Sequence, residues 1–263
     1  MSAPVAMIPY TNMAPYRQLA APRGCHFVSL VPRASIGALL TGRVAAAAVP
    51  VGGLPQLAGM VETAGRFGIA AKGPSMSVLF FSHGPFEAMQ APKTLRLTSE
   101  SASSVRLLFL LLGRTIGFDR LPNLATQGRE PDGELLIGDR ALIKGAAAGT
   151  GQPFDHVTDL SQVWFDWHGL PFVFARWVVR KDAPAPVKTA ILEWLDEFKD
   201  QESVLVARAV PEAADRLKLP PDLVVRYFQA IRRCLDDSDL RGQERFFQEF
   251  EQVGRTPLFQ NAG

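Results

Sequence analysis

Cysteine and histidine are scarce in this chain. The two cysteines, Cys25 and Cys234, lie far apart and belong to no Cys-x-x-Cys or Cys/His cluster. They read as reduced, partly buried thiols, with a disulfide between them the less favoured alternative. The four histidines, His26, His83, His156 and His168, are scattered, so no metal site is expected. Blocks of like charge are missing and the net charge is only +2, which argues against a nucleic-acid partner. Long apolar runs are missing too. "VRLLFLLLG" stops at Gly113, well short of a membrane span. The start, "MSAPVAMIPY", has neither the basic region nor the apolar stretch of a secretory leader. The expectation is a soluble, cytoplasmic protein without a membrane partner. No GxSxG, no P-loop and no GxGxxG at a strand–helix junction occurs, and no histidine is paired with a nucleophile in a family-like pattern.

Hydrophobic content, by contrast, is ample. With 263 residues, 47% of them hydrophobic, the chain can bury one large core or two lobes. Glycine (22) and proline (20) place many turns between short elements. Val5 to Ile8 reads as a short buried strand ended by Pro9, and Cys25 to Val31 as a second. "PRASIGALLTG" reads as a helix stopped by Gly42, and Val44 to Val51 as a buried strand closed by Pro50. This strand–helix–strand rhythm predicts a parallel sheet with crossovers. Further strands are expected at Ser77 to His83, Thr94 to Glu100, the run ending at Ile137, and Leu170 to Val179. Ser101 is placed to cap a helix that is apolar on most sides and hence buried. After Lys181 the texture becomes amphipathic and helical. Ile191, Leu192, Leu195 and Phe198 share one face; Val224, Tyr227, Phe228, Ile231 and Leu235 share another; Phe246, Phe247, Phe250 and Val253 a third.

The fold class expected is therefore α/β, in two lobes. Each lobe is a mostly parallel sheet flanked by helices, with a ligand cleft between them. Residues 1–76 plus 180–263 form one lobe and 77–179 the other, with crossover strands at 77–83 and 170–179. In such folds ligands meet the loops beyond the carboxyl ends of strands. The loop "PYTNMAPY" follows the first strand and presents Asn12, which offers both a donor and an acceptor. "GPSMS" ends in Ser77, "TSESASS" carries Ser101, Ser103 and Ser104 into a helix, and "IGD" presents Gly138 and Asp139. Hydroxyls and free N–H groups at a helix N-terminus suit a carboxylate or phosphate. Each residue also has a plainer reading: Asn12 as a turn residue, Ser101 and Asp139 as caps. Residue chemistry alone points to a binder of small anions.

The stretches "YTNMAPY", "GPSMSVLFFS", "SASSVRLL", "LLIGDRAL" and "DLSQVWFDWHGLPFVFARWVVRK" resemble, in this order, the chorismate dehydratase family of the futalosine route to menaquinone. That resemblance implies the fold of type II periplasmic solute-binding proteins, reused inside the cell. It implies an enzyme, a hydro-lyase, that removes water from chorismate to give 3-[(1-carboxyvinyl)oxy]benzoate without metal or cofactor. On the family's pattern Asn12 contacts substrate and matters for dehydration, Ser77 falls on the serine of a Ser-Val or Ser-Cys step, and Ser101, Ser103 and Ser104 fall on a Ser-Arg-Thr-Ser. Gly138 and Asp139 fall on a Gly-Asp. Two positions depart from it: Ala102 stands for the arginine and Ala45 for an acidic residue. Asp139 is the one loop carboxylate nominated as proton acceptor, and a carboxylate of the substrate itself is an equal alternative. Other readings are the sister enzyme that makes a dihydroxynaphthoate and a non-catalytic binding protein for an aromatic carboxylate.

Overall fold

A computed structural model describes residues 2–88, 94–117, 123–124, 131–147 and 154–253. In chain order the elements are β1 (Ala3–Met7), α1 (Ala14–Arg17), β2 (Cys25–Ser29), α2 (Pro32–Leu40), β3 (Ala46–Pro50), β4 (Val61–Ala71) and β5 (Val78–Ser82). There follow β6 (Thr94–Arg96), α3 (Ala102–Ile116), β7 (Asn123–Leu124), β8 (Gly133–Ile137), α4 (Gly138–Ala146), β9 (His156–Asp159), α5 (Leu160–His168) and β10 (Phe172–Arg180). The chain closes with α6 (Ala185–Leu217), α7 (Pro221–Ala230), β11 (Arg232–Cys234) and α8 (Asp237–Val253).

These elements form two compact units. The first holds Met1–Ala70 and Val173–Asp236, the second Ala71–Phe172 and Asp237–Gly263. The first unit is built on a sheet of order β11-β4-β10-β3-β1-β2. Its β1 runs parallel to β2 and β3, while β10 lies antiparallel to β3. β3 is buried at every position, as a strand covered on both faces must be. An aromatic cluster fills the core beside it: Tyr16 stacks on Phe198 at 3.8 Å between ring centres and meets Trp177 edge-on at 5.7 Å. Aromatic packing of this kind fixes α1, and with it the loop that leads into α1.

The second unit has a sheet of order β7-β6-β8-β5-β9. β6 and β8 are parallel, and β5 is antiparallel to both β8 and β9. Helix α3 is buried at 13 of its 15 positions, so it is a core helix rather than a surface one. Leu79, Phe81, Leu136, Ala141 and Phe154 pack together around the sheet and α4.

Several expectations change on contact with the fold. The chain passes between units at 70/71, 172/173 and 236/237, against expected boundaries at 76/77 and 179/180. β5, expected as a crossover strand, lies inside the second sheet, flanked by β8 and β9. Helix α8 belongs to the second unit, because Arg114 of α3 pairs with its Glu249 at 2.6 Å and Arg106 of α3 stacks on its Phe250 at 4.7 Å. The face expected to run from Val224 to Leu235 breaks at Ala230. Ile231 and Leu235 are buried, but they flank β11, which pairs with β4. Leu192 points outward at 40% exposure, while Ile191, Leu195 and Phe198 form the buried stripe of α6. The long strand β4 gave no clear sequence signal, since Gly65 and Gly68 interrupt its alternation. Gly68 is required there: a Cβ would sit 2.4 Å from the Ala175 carbonyl oxygen of the neighbouring strand. The side chain of Val253 lies outside the described residues.

Candidate functional site

In the first unit, β1 ends at Met7, and the chain then makes a tight 3-10 turn over Thr11–Met13 before α1. Pro15 falls in the first turn of α1, where a missing N–H does no harm. This turn leaves several carbonyl and hydroxyl oxygens pointing inward, and three arginines meet them. Arg17 donates to the carbonyls of Ile8 at 3.0 Å and Tyr10 at 3.2 Å. Arg216 of α6 donates to the Thr11 hydroxyl. Arg233 of β11 donates through Nε to the Asn12 carbonyl at 3.2 Å, and through Nη1 to Phe228 and Ile231. Arg233 is 2% exposed. Burial pulls its guanidinium pKa down, and Glu202, 3.4 Å away, works against that. The main chain of Asn12 is thus fixed, yet its side-chain Oδ1 is buried with no hydrogen-bond partner among the described residues. An orphan acceptor of this kind costs about 1–3 kcal/mol, so it marks a place where another donor is wanted. A cavity of about 380 Å³ opens at the carboxyl ends of β1 and β2, bordered by Ile8, Arg17, Ser29 and Arg216.

The second unit gathers the other six residues along one edge of its sheet. β6 and β8 are parallel neighbours, so the N-termini of α3 and α4 emerge on the same side. β5 runs the other way, which brings Ser77, just before it, to that same side. There the Gly138 N–H donates to the Ser77 carbonyl at 2.8 Å. Gly138 has φ +60°, a conformation that suits glycine.

Ser101 caps α3: its Oγ accepts from the Ser104 N–H at 3.1 Å and lies 3.0 Å from the Ser104 hydroxyl. Ser103 is fully buried and Ser104 nearly so. No acidic residue sits in the first turn of α3, whereas α4 carries Asp139 in its own. A carboxylate at a helix N-terminus neutralises the local dipole. The α4 end is therefore already compensated, and the α3 end is the one that would attract an anion. Ala102 is 8% exposed, so the side chain at this position faces inward and not toward solvent. The main chain of Ala45 is knitted into the first sheet, its N–H to Pro4 and its carbonyl to Arg180.

Sequence reasoning missed the residues that hold Ser77. Met76, immediately before it, has φ +60°, costing a residue with a side chain about 1–2 kcal/mol. Asp159 secures that turn. Its Oδ2 accepts from the Met76 N–H at 2.7 Å, and the buried Ser75 hydroxyl donates to both of its oxygens at 3.2 and 3.3 Å. Its Oδ1 also caps α5 through the N–H groups of Ser161 and Gln162. Burial pushes the Asp159 carboxyl pKa up, and these four partners moderate the effect. The available signal was the Asp-x-Ser-Gln step opening a helix, which is an N-cap pattern.

Both cysteines are free, and burial together with Glu202 pushes the Cys234 thiol up to about 12. Among the described residues no helix is long and apolar enough to cross a membrane.

The chain matches, over residues 3–252, the family described as menaquinone biosynthesis. It is 32% identical over 252 residues to a protein of Thermus thermophilus named chorismate dehydratase, covering 90% of this chain and 91% of that one. Its fold is similar to that of a protein of Archaeoglobus fulgidus, with a TM-score of 0.68 at 14% identity, over 97% of this chain and 98% of that one. It is also similar to the periplasmic aliphatic sulphonate binding protein of Escherichia coli, with a TM-score of 0.64 at 14% identity, over 97% and 94%. At such identities the likeness concerns the fold, which is that of periplasmic binding proteins.

Proposed function

The chain belongs to the menaquinone biosynthesis family, and we propose that it is an enzyme of the hydro-lyase class that removes water from chorismate to give 3-[(1-carboxyvinyl)oxy]benzoate. The observation that carries this reading is the match to the Thermus thermophilus chorismate dehydratase along nine-tenths of both chains. A cytoplasmic location belongs to the same reading.

The residues suit the reaction. Chorismate has two carboxylates and one ring hydroxyl. The uncompensated N-terminus of α3, with Ser101, Ser103 and Ser104, is the proposed carboxylate contact. The hydroxyl is the one O–H donor of the ionised substrate, and the buried Asn12 Oδ1 is an acceptor in want of one. In the reaction a ring C–H bond and the C–O bond to the hydroxyl break, the proton and hydroxide leave as water, and the ring becomes aromatic. Aromatisation supplies the thermodynamic drive, so the protein's task is to orient the substrate and keep out competing rearrangement. The proton goes either to Asp139 or to a carboxylate of the substrate. Asp139 sits in the first turn of α4, beside Gly138 on the same edge of the sheet as Ser77.

The test is direct. Purified protein is incubated with chorismate, and the product is sought by mass at one water below the substrate. Its appearance supports the reading. Chorismate bound but returned unchanged would favour a non-catalytic binding protein, and no binding at all would sink both.

A further inference from the structure

We propose that Asp159 is a positioning residue for the dehydration, holding Ser77 and Gly138 in register at the substrate edge of the second unit. This rests on the reading of Ser77 as a substrate contact. Asp159 closes β9, beside Leu79 of β5, and opens α5. Capping α5 needs one carboxylate oxygen, and Oδ1 does that work. The second oxygen, Oδ2, reaches back across the sheet to the Met76 N–H at 2.7 Å. Ser75 completes the clamp. Its hydroxyl donates to Asp159 and accepts from the N–H groups of Ser77 at 3.4 Å and Val78 at 3.2 Å. The turn thus enclosed contains a methionine at φ +60°, a conformation that does not persist unless neighbours hold it. From it the Ser77 carbonyl receives the Gly138 N–H, which starts α4. A chain of hydrogen bonds therefore runs from Asp159 through Ser75 and Met76 to Ser77 and Gly138. If the carboxylate is lost, the turn can relax toward negative φ at Met76, and Ser77 and the α4 N-terminus move with it.

Asp159→Ser separates this role from capping, because serine caps a helix well but is too short to reach Met76. In D159S the melting temperature should fall only modestly, because the α5 cap is kept while the Met76 N–H and the Ser75 hydroxyl lose an acceptor. Amide exchange at Met76, Ser77, Val78 and Gly138 should quicken. KM for chorismate should rise about tenfold, with kcat changed less than about threefold. Adding Met76→Gly should recover part of that KM, because glycine adopts φ +60° without help. A residue that served only to cap α5 would give no such rescue. Ser75→Ala, which leaves the cap intact, should raise KM in the same direction and decides the matter if D159S does not fold. Parental KM in these variants, or loss of kcat alone, overturns the proposal. Faster exchange with an unchanged KM also overturns it, since the clamp would then be structural only. No turnover of chorismate by the unaltered protein overturns the reading and this proposal with it. Turnover by the unaltered protein with unaffected variants overturns the proposal alone.

Discussion

In the first unit the chain that leaves β1 turns its oxygens inward, and guanidinium groups meet them: Arg17, Arg216 and Arg233. In the second unit the chain that enters β5 turns its N–H groups inward, and a carboxylate meets them: Asp159. The two units repeat the contrast in their interiors. The first buries the cation Arg233 among carbonyls and Glu202. The second buries the anion Glu249 among Arg114, His168 and Arg245. The conformation of a loop decides which backbone groups are left over, and the leftover groups decide the sign of the charge that must be buried to satisfy them. In the first loop the Asn12 side-chain oxygen is left without a hydrogen-bond partner among the described residues.

The largest effect is expected where the contrast is most internal. Arg233→Met should lower unfolding free energy by about 3–5 kcal/mol, because Glu202 and the carbonyls of Asn12, Phe228 and Ile231 lose their partner. Denaturant unfolding measures it. A loss below about 1 kcal/mol would mean that aromatic packing of Tyr16, not the arginine, holds the loop.

Asn12→Ala touches the same loop with the opposite signature. Turnover should fall about 100- to 1000-fold, as for loss of a hydrogen bond that acts on the reacting group. Stability should hold, since the side-chain oxygen has no protein partner to lose. Parental turnover in this variant would remove Asn12 from the site.

Acid should distinguish the units. Burial alone would raise the Glu249 carboxyl, but the hydrogen bond and charge of His168, with Arg114 and Arg245, outweigh it and hold the pKa below its ordinary 4.5. A depressed carboxylate contributes stability above its unfolded value and loses it as pH falls through the folded one. Docking of α8 should therefore weaken below pH 4.5. The arginine clamp of Asn12 does not titrate there. Amide exchange at pH 7 and pH 4 should show protection lost in α8 before β11. The reverse order would break the comparison.

Ser103→Ala and Ser104→Ala should raise KM for chorismate by about three- to tenfold with kcat little changed, because a carboxylate contact is present in both ground and transition states. An unchanged KM in both would remove the α3 N-terminus from the site.

The smallest effect is expected for Met76→Gly in the otherwise unaltered protein. Relief of the left-handed strain and the entropy of glycine nearly cancel, leaving stability within about 0.5 kcal/mol. A cost well above that would show that the methionine side chain, rather than the Asp159 bond, sets the turn.

Much of the second unit's edge was legible in the sequence. Ser101 sits immediately before α3, a few residues ahead of its apolar run, and caps it. Gly138 and Asp139 follow a strand of five buried residues and start a helix. The aromatic strand after Pro171 and the buried α3 also follow from period and composition. The hidden parts share a cause. β4 has Gly68 where its backbone is crowded by Ala175 and Gly65 where φ is +60°, so its pattern is blurred by features that sequence does not display. Ile231 continues the spacing of α7, but the chain there is drawn into β11 by pairing with β4.

What the sequence determined by itself is therefore what a few neighbouring residues determine together: strands from alternation, helices from their caps and stripes, a serine-rich helix start. Tertiary structure alone decided which charges hold the loops. Asp159 reaches Met76 across 83 residues, and Arg233 reaches Asn12 across 221. A backbone group left unpaired by a turn can be satisfied by any donor or acceptor that folding brings near, and chain distance places no limit on which one that is.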